Sequence, residues 1–191
     1  MSSAARHHRL SVEDYLAHER RSPDKHEFFD GRVSLMAGGS ARHNYLCGRI
    51  QHAMVARLDG TPCFPLGSDQ RLATPDGLYT YADGAVFCGE VVVGPEATAL
   101  NPVVVFEVLS DSTREYDRGE KLERYKQIPA LRHVVLIEQH AVDVEVWTRG
   151  PTGWTRRVHT DPAERLVLVA PAMEVSLGDL YAGIERLPDT R

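Results

Sequence analysis

The sequence predicts an α/β protein in which one mixed central β-sheet is flanked by helices, with a helix and a hairpin at its N-terminal end. Three observations predict it. Apolar residues recur at helical spacing in Leu46, Ile50, Ala53, Met54 and Leu58, the periodicity of one helix face. Short runs of β-branched and aromatic residues, such as PVVVFEVLS and HVVLIEQ, are punctuated by Gly and Pro, as strands are. The two patterns alternate along the chain, which is the signature of layered α/β folds.

In order, Ser11 followed by Glu13 and Asp14 starts a short helix through about Arg20: Ser caps free amides and early acids complement the helix dipole. KHEFFDGRVSLM carries Asp30-Gly31 between strand formers, a hairpin signal with Glu27 on the incoming strand. The helix through Leu46 follows. FPLGSDQRL, YADGAVFC and PVVVFEVLS then read as three strands, and DSTREYDRGEKLERYKQI as a helix with Ser112 and Glu115 at capping-box spacing. Pro129 stops it. HVVLIEQ, VDVEVWTR and LVLVA read as further strands, and Leu177, Leu180, Tyr181 and Ile184 suggest a closing helix.

A chain of 191 residues without an internal linker or repeat reads as a single domain, 1–191. Its 22 Lys and Arg against 27 Asp and Glu give a net charge of −5, so any nucleic acid must be met by a local patch. Cys47, Cys63 and Cys88 are odd in number and lack CxxC spacing, and they read as buried thiols of a reducing compartment. MSSAARHHRL has no apolar signal core, and the longest apolar runs, Val103 to Phe106 and Val134 to Ile137, are far below membrane-spanning length. The expectation is a cytoplasmic protein that does not engage a membrane. His7 and His8 read as terminal residues without a role.

Glu107 is the residue out of place, sharing a strand face with Val103, Val105 and Leu109. As a structural residue it would be an acid at a strand end opening to water; as a functional one, a metal ligand or acid/base. Asp83 precedes it by one strand and a connection. It is either a turn-forming Asp-Gly or a second carboxylate converging on Glu107, in which case Mg²⁺ or Mn²⁺ would relieve the repulsion. Lys121 lies four residues from both Asp117 and Tyr125, on one side of the following helix. It could lean over the carboxylates or merely pair with Asp117 in solvent. His43 falls on the buried face of its helix, as a core histidine or a ligand. GxSxG, GxxxxGK[ST] and HExxH motifs are absent, leaving metal-assisted attack by water as the chemistry that Asp, Glu and Lys suit.

SVEDYLAHE, KHEFFDGRVSLMAGGSARHN, YADGAVFCG, NPVVVFEVLSDSTREYDRGEKLERYKQIPAL and VLIEQ together resemble the bacterial Uma family. That group is classed by inference as restriction endonucleases within the PD-(D/E)XK nuclease superfamily. The resemblance runs from about Leu10 to Trp147 and implies a restriction-endonuclease-like core with a hydrolytic site dependent on Mg²⁺ or Mn²⁺. It assigns Asp83 as the motif aspartate, preceded by Ala82 where the pattern has proline, and Glu107 as the acid of the (D/E)XK element. Leu109 stands where that element has lysine, and Lys121 matches the lysine that the family carries on the next helix. Glu27 matches an acid of the first hairpin and a further metal ligand, and His43 the family's HN element. The implied function is a metal-dependent endonuclease acting on DNA, for which a twofold homodimer would suit double-strand cutting. The alternative is a catalytically silent nuclease-fold module that binds nucleic acid or a protein.

Overall fold

The structure, a computed structural model, describes residues 9–36 and 38–188; His7 and His8 lie outside the described residues. Helix α1 (Val12–Glu19) begins as its sequence requires, with Ser11 Oγ accepting from the Asp14 amide. Strands β1 (His26–Phe29) and β2 (Arg32–Leu35) form the predicted hairpin. Its turn residues Asp30 and Gly31 have φ of 49° and 77°, the left-handed pair that Asp-Gly turns supply at low cost. Helix α2 (Ala41–Leu58) is capped by Ser40 and buries Leu46, Ile50, Met54 and Leu58. At about 1.5 to 3 kcal/mol for each large side chain removed from water, that stripe holds the helix to the sheet.

Six strands form the central sheet: β3 (Cys63–Gly67), β6 (Gly84–Cys88), β7 (Val104–Leu109), β8 (His133–Glu138), β9 (Val144–Gly150) and β10 (Gly153–His159). Their spatial order is β10-β9-β8-β7-β6-β3, and only β7 and β8 run parallel. All residues of β7 and β8 are buried. On one face, Val104, Phe106 and Val108 pack with α2, with the hairpin of β11 (Arg165–Val169) and β12 (Ala172–Ser176), and with α5 (Leu177–Tyr181). On the other, Val105 and Leu109 pack with Leu122, Tyr125 and Ile128 of the segment that follows β7. This is the expected mixed α/β arrangement.

Beyond the unexpected strands β10 and β12, four details differ from the sequence reading. The hairpin belongs to a second, four-stranded antiparallel sheet, in order β2-β1-β5-β4, where β4 is Arg71–Ala73 and β5 is Tyr79–Tyr81. FPLGSDQRL and YADGAVFC are therefore each two strands, β3 with β4 and β5 with β6, because the chain passes from one sheet to the other. Asp83 sits at the second of these corners. The segment after β7 is not one helix capped by Ser112. It comprises α3 (Arg114–Tyr116), whose N-cap is Thr113, a π-helical turn (Asp117–Lys121) and α4 (Leu122–Tyr125). Ser112 Oγ instead meets Ser110 Oγ at 3.1 Å. Gly119, at φ −106° and ψ −105°, is the non-helical residue of that turn. The cysteine reading is also corrected: Cys63 and Cys88 face each other across β3 and β6 and form a disulfide, which leaves Cys47 as the free thiol. Strand register creates the pair, and linear spacing does not reveal it. Among the described residues no helix is long and apolar enough to cross a membrane.

Candidate active site

Glu107 projects from β7 on the face covered by α3, the π turn and α4. It is 4% exposed, as is Lys121, and Asp117 is 5% exposed. The widened turn sets Lys121 over the strand: its Nζ lies 2.9 Å from Glu107 Oε1, 3.6 Å from Asp117 Oδ1 and 3.9 Å from Glu27 Oε2. Tyr125, one turn on, donates to Glu107 Oε1 at 2.6 Å. π turns of this kind recur at functional sites because they re-aim side chains that a regular helix would spread.

Asp83 reaches the same place from the corner that leads into β6. Gly84 pairs with Phe106 in the antiparallel β6–β7 register, so the next step places Asp83 opposite Glu107, and its Oδ2 accepts from the Val108 amide at 2.7 Å. Glu27 enters from β1 of the other sheet. It accepts from Thr80 Oγ1 at 2.7 Å and from the Tyr116 hydroxyl. His43, in the first turn of α2, places Nε2 3.3 Å from Asp83 Oδ2 and Nδ1 3.5 Å from Cys47 Sγ. A Cβ at Gly39 would overlap the His43 ring, so glycine lets the chain before α2 close over the imidazole. All five sequence candidates line one cleft of about 800 Å³, together with Asp117. Tyr116 and Thr80, which hold Glu27, gave no periodic signal because they come from different elements.

Charge is out of balance here. Burial pushes Glu107 up to about 8, and Asp83 and Asp117 add to the shift against the pull of Lys121. Asp117 is raised chiefly by its own burial. Burial works against the charge on Lys121, yet Glu107 and the other acids hold its pKa well above the usual value. Asp83 ends below the usual carboxylate range because hydrogen bonds from His43 and Val108 outweigh its burial, and His43 is correspondingly raised against its burial. Burial pushes the Cys47 thiol up, and Asp83 adds to it. Three carboxyl groups, those of Glu27, Glu107 and Asp117, thus lie within 4 Å of one ammonium, and a fourth, Asp83, stands opposite Glu107 in the same cleft. That oxygen-rich excess of negative charge fits a hard divalent cation, which would reverse the upward shift of Glu107. Mg²⁺ or Mn²⁺ at a hundredfold excess over Kd should stabilise the fold by about 2.7 kcal/mol. Thermal unfolding should show the shift in the wild type and a much smaller one in Asp83→Asn. Equal shifts would place any ion elsewhere.

The fold is similar to the crystal structure of a "putative nuclease belonging to DUF820" from Anabaena variabilis, with a TM-score of 0.73 at 14% identity, over 92% of this chain and 99% of that one. The chain belongs to the Uma2 family, described as "Putative restriction endonuclease", whose model matches residues 12–178. Two uncharacterized proteins of Synechocystis sp. are similar to it. One is 30% identical over 177 residues, covering 92% of this chain and 93% of its own length. The other is 30% identical over 149 residues, covering 76% and 84%.

Proposed function

We propose that the protein is a divalent-metal-dependent endonuclease that hydrolyses phosphodiester bonds in DNA. The observation that carries the reading is that Glu27 of β1 and Glu107 of β7 meet the ammonium of Lys121, while Asp83, at the corner before β6, stands opposite Glu107 and lines the same open cleft. In this reading the three carboxylates hold Mg²⁺ or Mn²⁺. When bound, the ion supplies acidity to a water molecule and offsets charge on the phosphate. Lys121 orients the attacking water and faces the charge that grows on the phosphoryl oxygens, an interaction strongest in the transition state. Tyr125 fixes the Glu107 carboxylate. The Val108 amide fixes that of Asp83, and His43, tied to Asp83, can carry a proton between the site and the cleft.

One observation favours a silent binding module instead. Lys121 already satisfies Glu107 at 2.9 Å, as a structural ion pair standing in the place of a cation would. The two readings separate in a cleavage assay on supercoiled, linear and single-stranded DNA and on RNA, with Mn²⁺ and with EDTA. The endonuclease reading expects ion-dependent cleavage of DNA, and of a circular substrate in particular. Failure on every substrate favours the silent module, and cleavage of RNA alone would correct the substrate.

A further inference from the structure

Cys47 lies one helical turn after His43, so both side chains leave the same face of α2 towards the corner that carries Asp83. His43 Nδ1 is 3.5 Å from Cys47 Sγ, and His43 Nε2 is 3.3 Å from Asp83 Oδ2. One imidazole nitrogen, the thiol sulfur and one carboxylate oxygen all lie within 4.8 Å of one another. Around tetrahedral zinc, bonds of about 2.0 to 2.3 Å put neighbouring donors roughly 3.3 to 3.7 Å apart, so movements of about 1 Å would close the triangle. Gln51, one further turn along α2, has a buried Oε1 without a hydrogen-bond partner. It points towards Gly84, next to Asp83, and gives this edge an acceptor for a proton of an ion-bound water.

We propose that His43, Cys47 and Asp83 form a site for a borderline-soft divalent cation, zinc first, beside the hard-cation pocket and sharing Asp83 with it. The donor set is one imidazole, one thiol and one carboxylate, with room on the cleft side for a fourth ligand from solvent, the pattern of an open zinc site. Binding forms the sulfur–zinc bond as the Cys47 thiol proton leaves to water. Thiolate and carboxylate together then balance the charge of the ion, with His43 neutral. Mg²⁺ and Mn²⁺ prefer oxygen donors, so the thiol selects against them. Because Asp83 can serve one cation at full strength, zinc occupancy weakens Mn²⁺ binding. This competition, unlike the zinc site itself, rests on the proposed function.

The test uses the full chain, treated with EDTA and kept unreduced, so that Cys63 and Cys88 remain joined and Cys47 is the thiol available. Titration with Co²⁺ should raise a thiolate-to-cobalt charge-transfer band in the near ultraviolet that saturates at one ion per chain and is bleached by Zn²⁺. Cys47→Ser should abolish the band, and His43→Asn should weaken it. Each should weaken zinc binding by at least about tenfold, since even supporting groups around a metal site are worth that much. One equivalent of Zn²⁺ should weaken Mn²⁺ binding, read by electron paramagnetic resonance, in the wild type but not in Cys47→Ser. A missing band, or one that persists in Cys47→Ser, overturns the site. A proper band with Mn²⁺ binding indifferent to zinc overturns the sharing of Asp83. A proper band in a protein that cleaves no nucleic acid upholds the zinc site and removes the nuclease reading alone.

Discussion

Lys121→Met should lower single-turnover DNA cleavage in Mn²⁺ by on the order of a hundredfold or more, while Lys126→Met leaves it unchanged. Losing one preorganised contact to developing charge typically costs that much. Both substitutions keep most of the aliphatic stem and remove only the ammonium. The two ammoniums differ in their surroundings. That of Lys121 is buried among Glu107, Asp117 and Glu27, whereas that of Lys126 pairs with exposed Glu123 and lies 3.6 Å over the Trp147 ring. Calorimetry should find the ion retained in both variants, which separates lost turnover from lost binding. Equal cleavage by the two variants would remove Lys121 from the chemistry and leave it as a structural partner of Glu107.

The second large effect is on stability. Metal-free protein should lose stability as pH rises from about 4.5 to about 8, the interval between the ordinary pKa of Glu107 and its value in the fold. In that window the native state keeps a proton on Glu107 that the unfolded chain has released, so each step up in pH favours unfolding. The slope from one such group reaches about 1.4 kcal/mol per pH unit. The groups facing Glu107 are Lys121, Tyr125, Asp83 and Asp117. Lys121 and Tyr125 have pKa values raised well above their usual alkaline values, so neither titrates in the window. Asp83, whose pKa is lowered, adds stability that disappears only as pH falls through the acid range below the window. Asp117 and His43, both raised, slope in the same direction as Glu107. Glu107→Gln should therefore flatten the profile in part, and saturating Mg²⁺ should flatten the Glu107 component by keeping that carboxylate ionised. Urea midpoints across the interval would show it. A flat wild-type profile, or one unchanged in Glu107→Gln, would contradict the buried, charge-crowded carboxylate.

What was legible in the sequence was whatever a single element encodes. Ser11 before an acidic turn, Asp30-Gly31 between aromatic and β-branched runs, and the Leu46-to-Leu58 stripe each name their own element. Glu107 was visible because one charge interrupts a buried strand, and the placement of Lys121 between Asp117 and Tyr125 was visible as spacing. What failed to show was what two elements make together. Strand-like spacing carries Tyr81, Asp83, Ala85 and Phe87 on one face through the Ala82-Asp83 corner, which hides the change of sheet between β5 and β6. Cys63 and Cys88 meet only through register. The π turn depends on Gly119 leaving helical backbone, a choice that helical periodicity does not record. Strand β10 lies at the sheet edge with most of its residues exposed, and it lacks the apolar alternation that marks a strand. Cys47 looked inert because its partners, His43 and Asp83, belong respectively to the preceding helical turn and to a distant corner.

The most direct measurement is cleavage of supercoiled DNA started by Mn²⁺, comparing wild type with Glu107→Gln at matched fold stability. The account predicts nicked and then linear product from the wild type only when the ion is present, and none from Glu107→Gln. Cleavage that survives in Glu107→Gln, or a wild type that leaves the DNA intact in Mn²⁺, would contradict it.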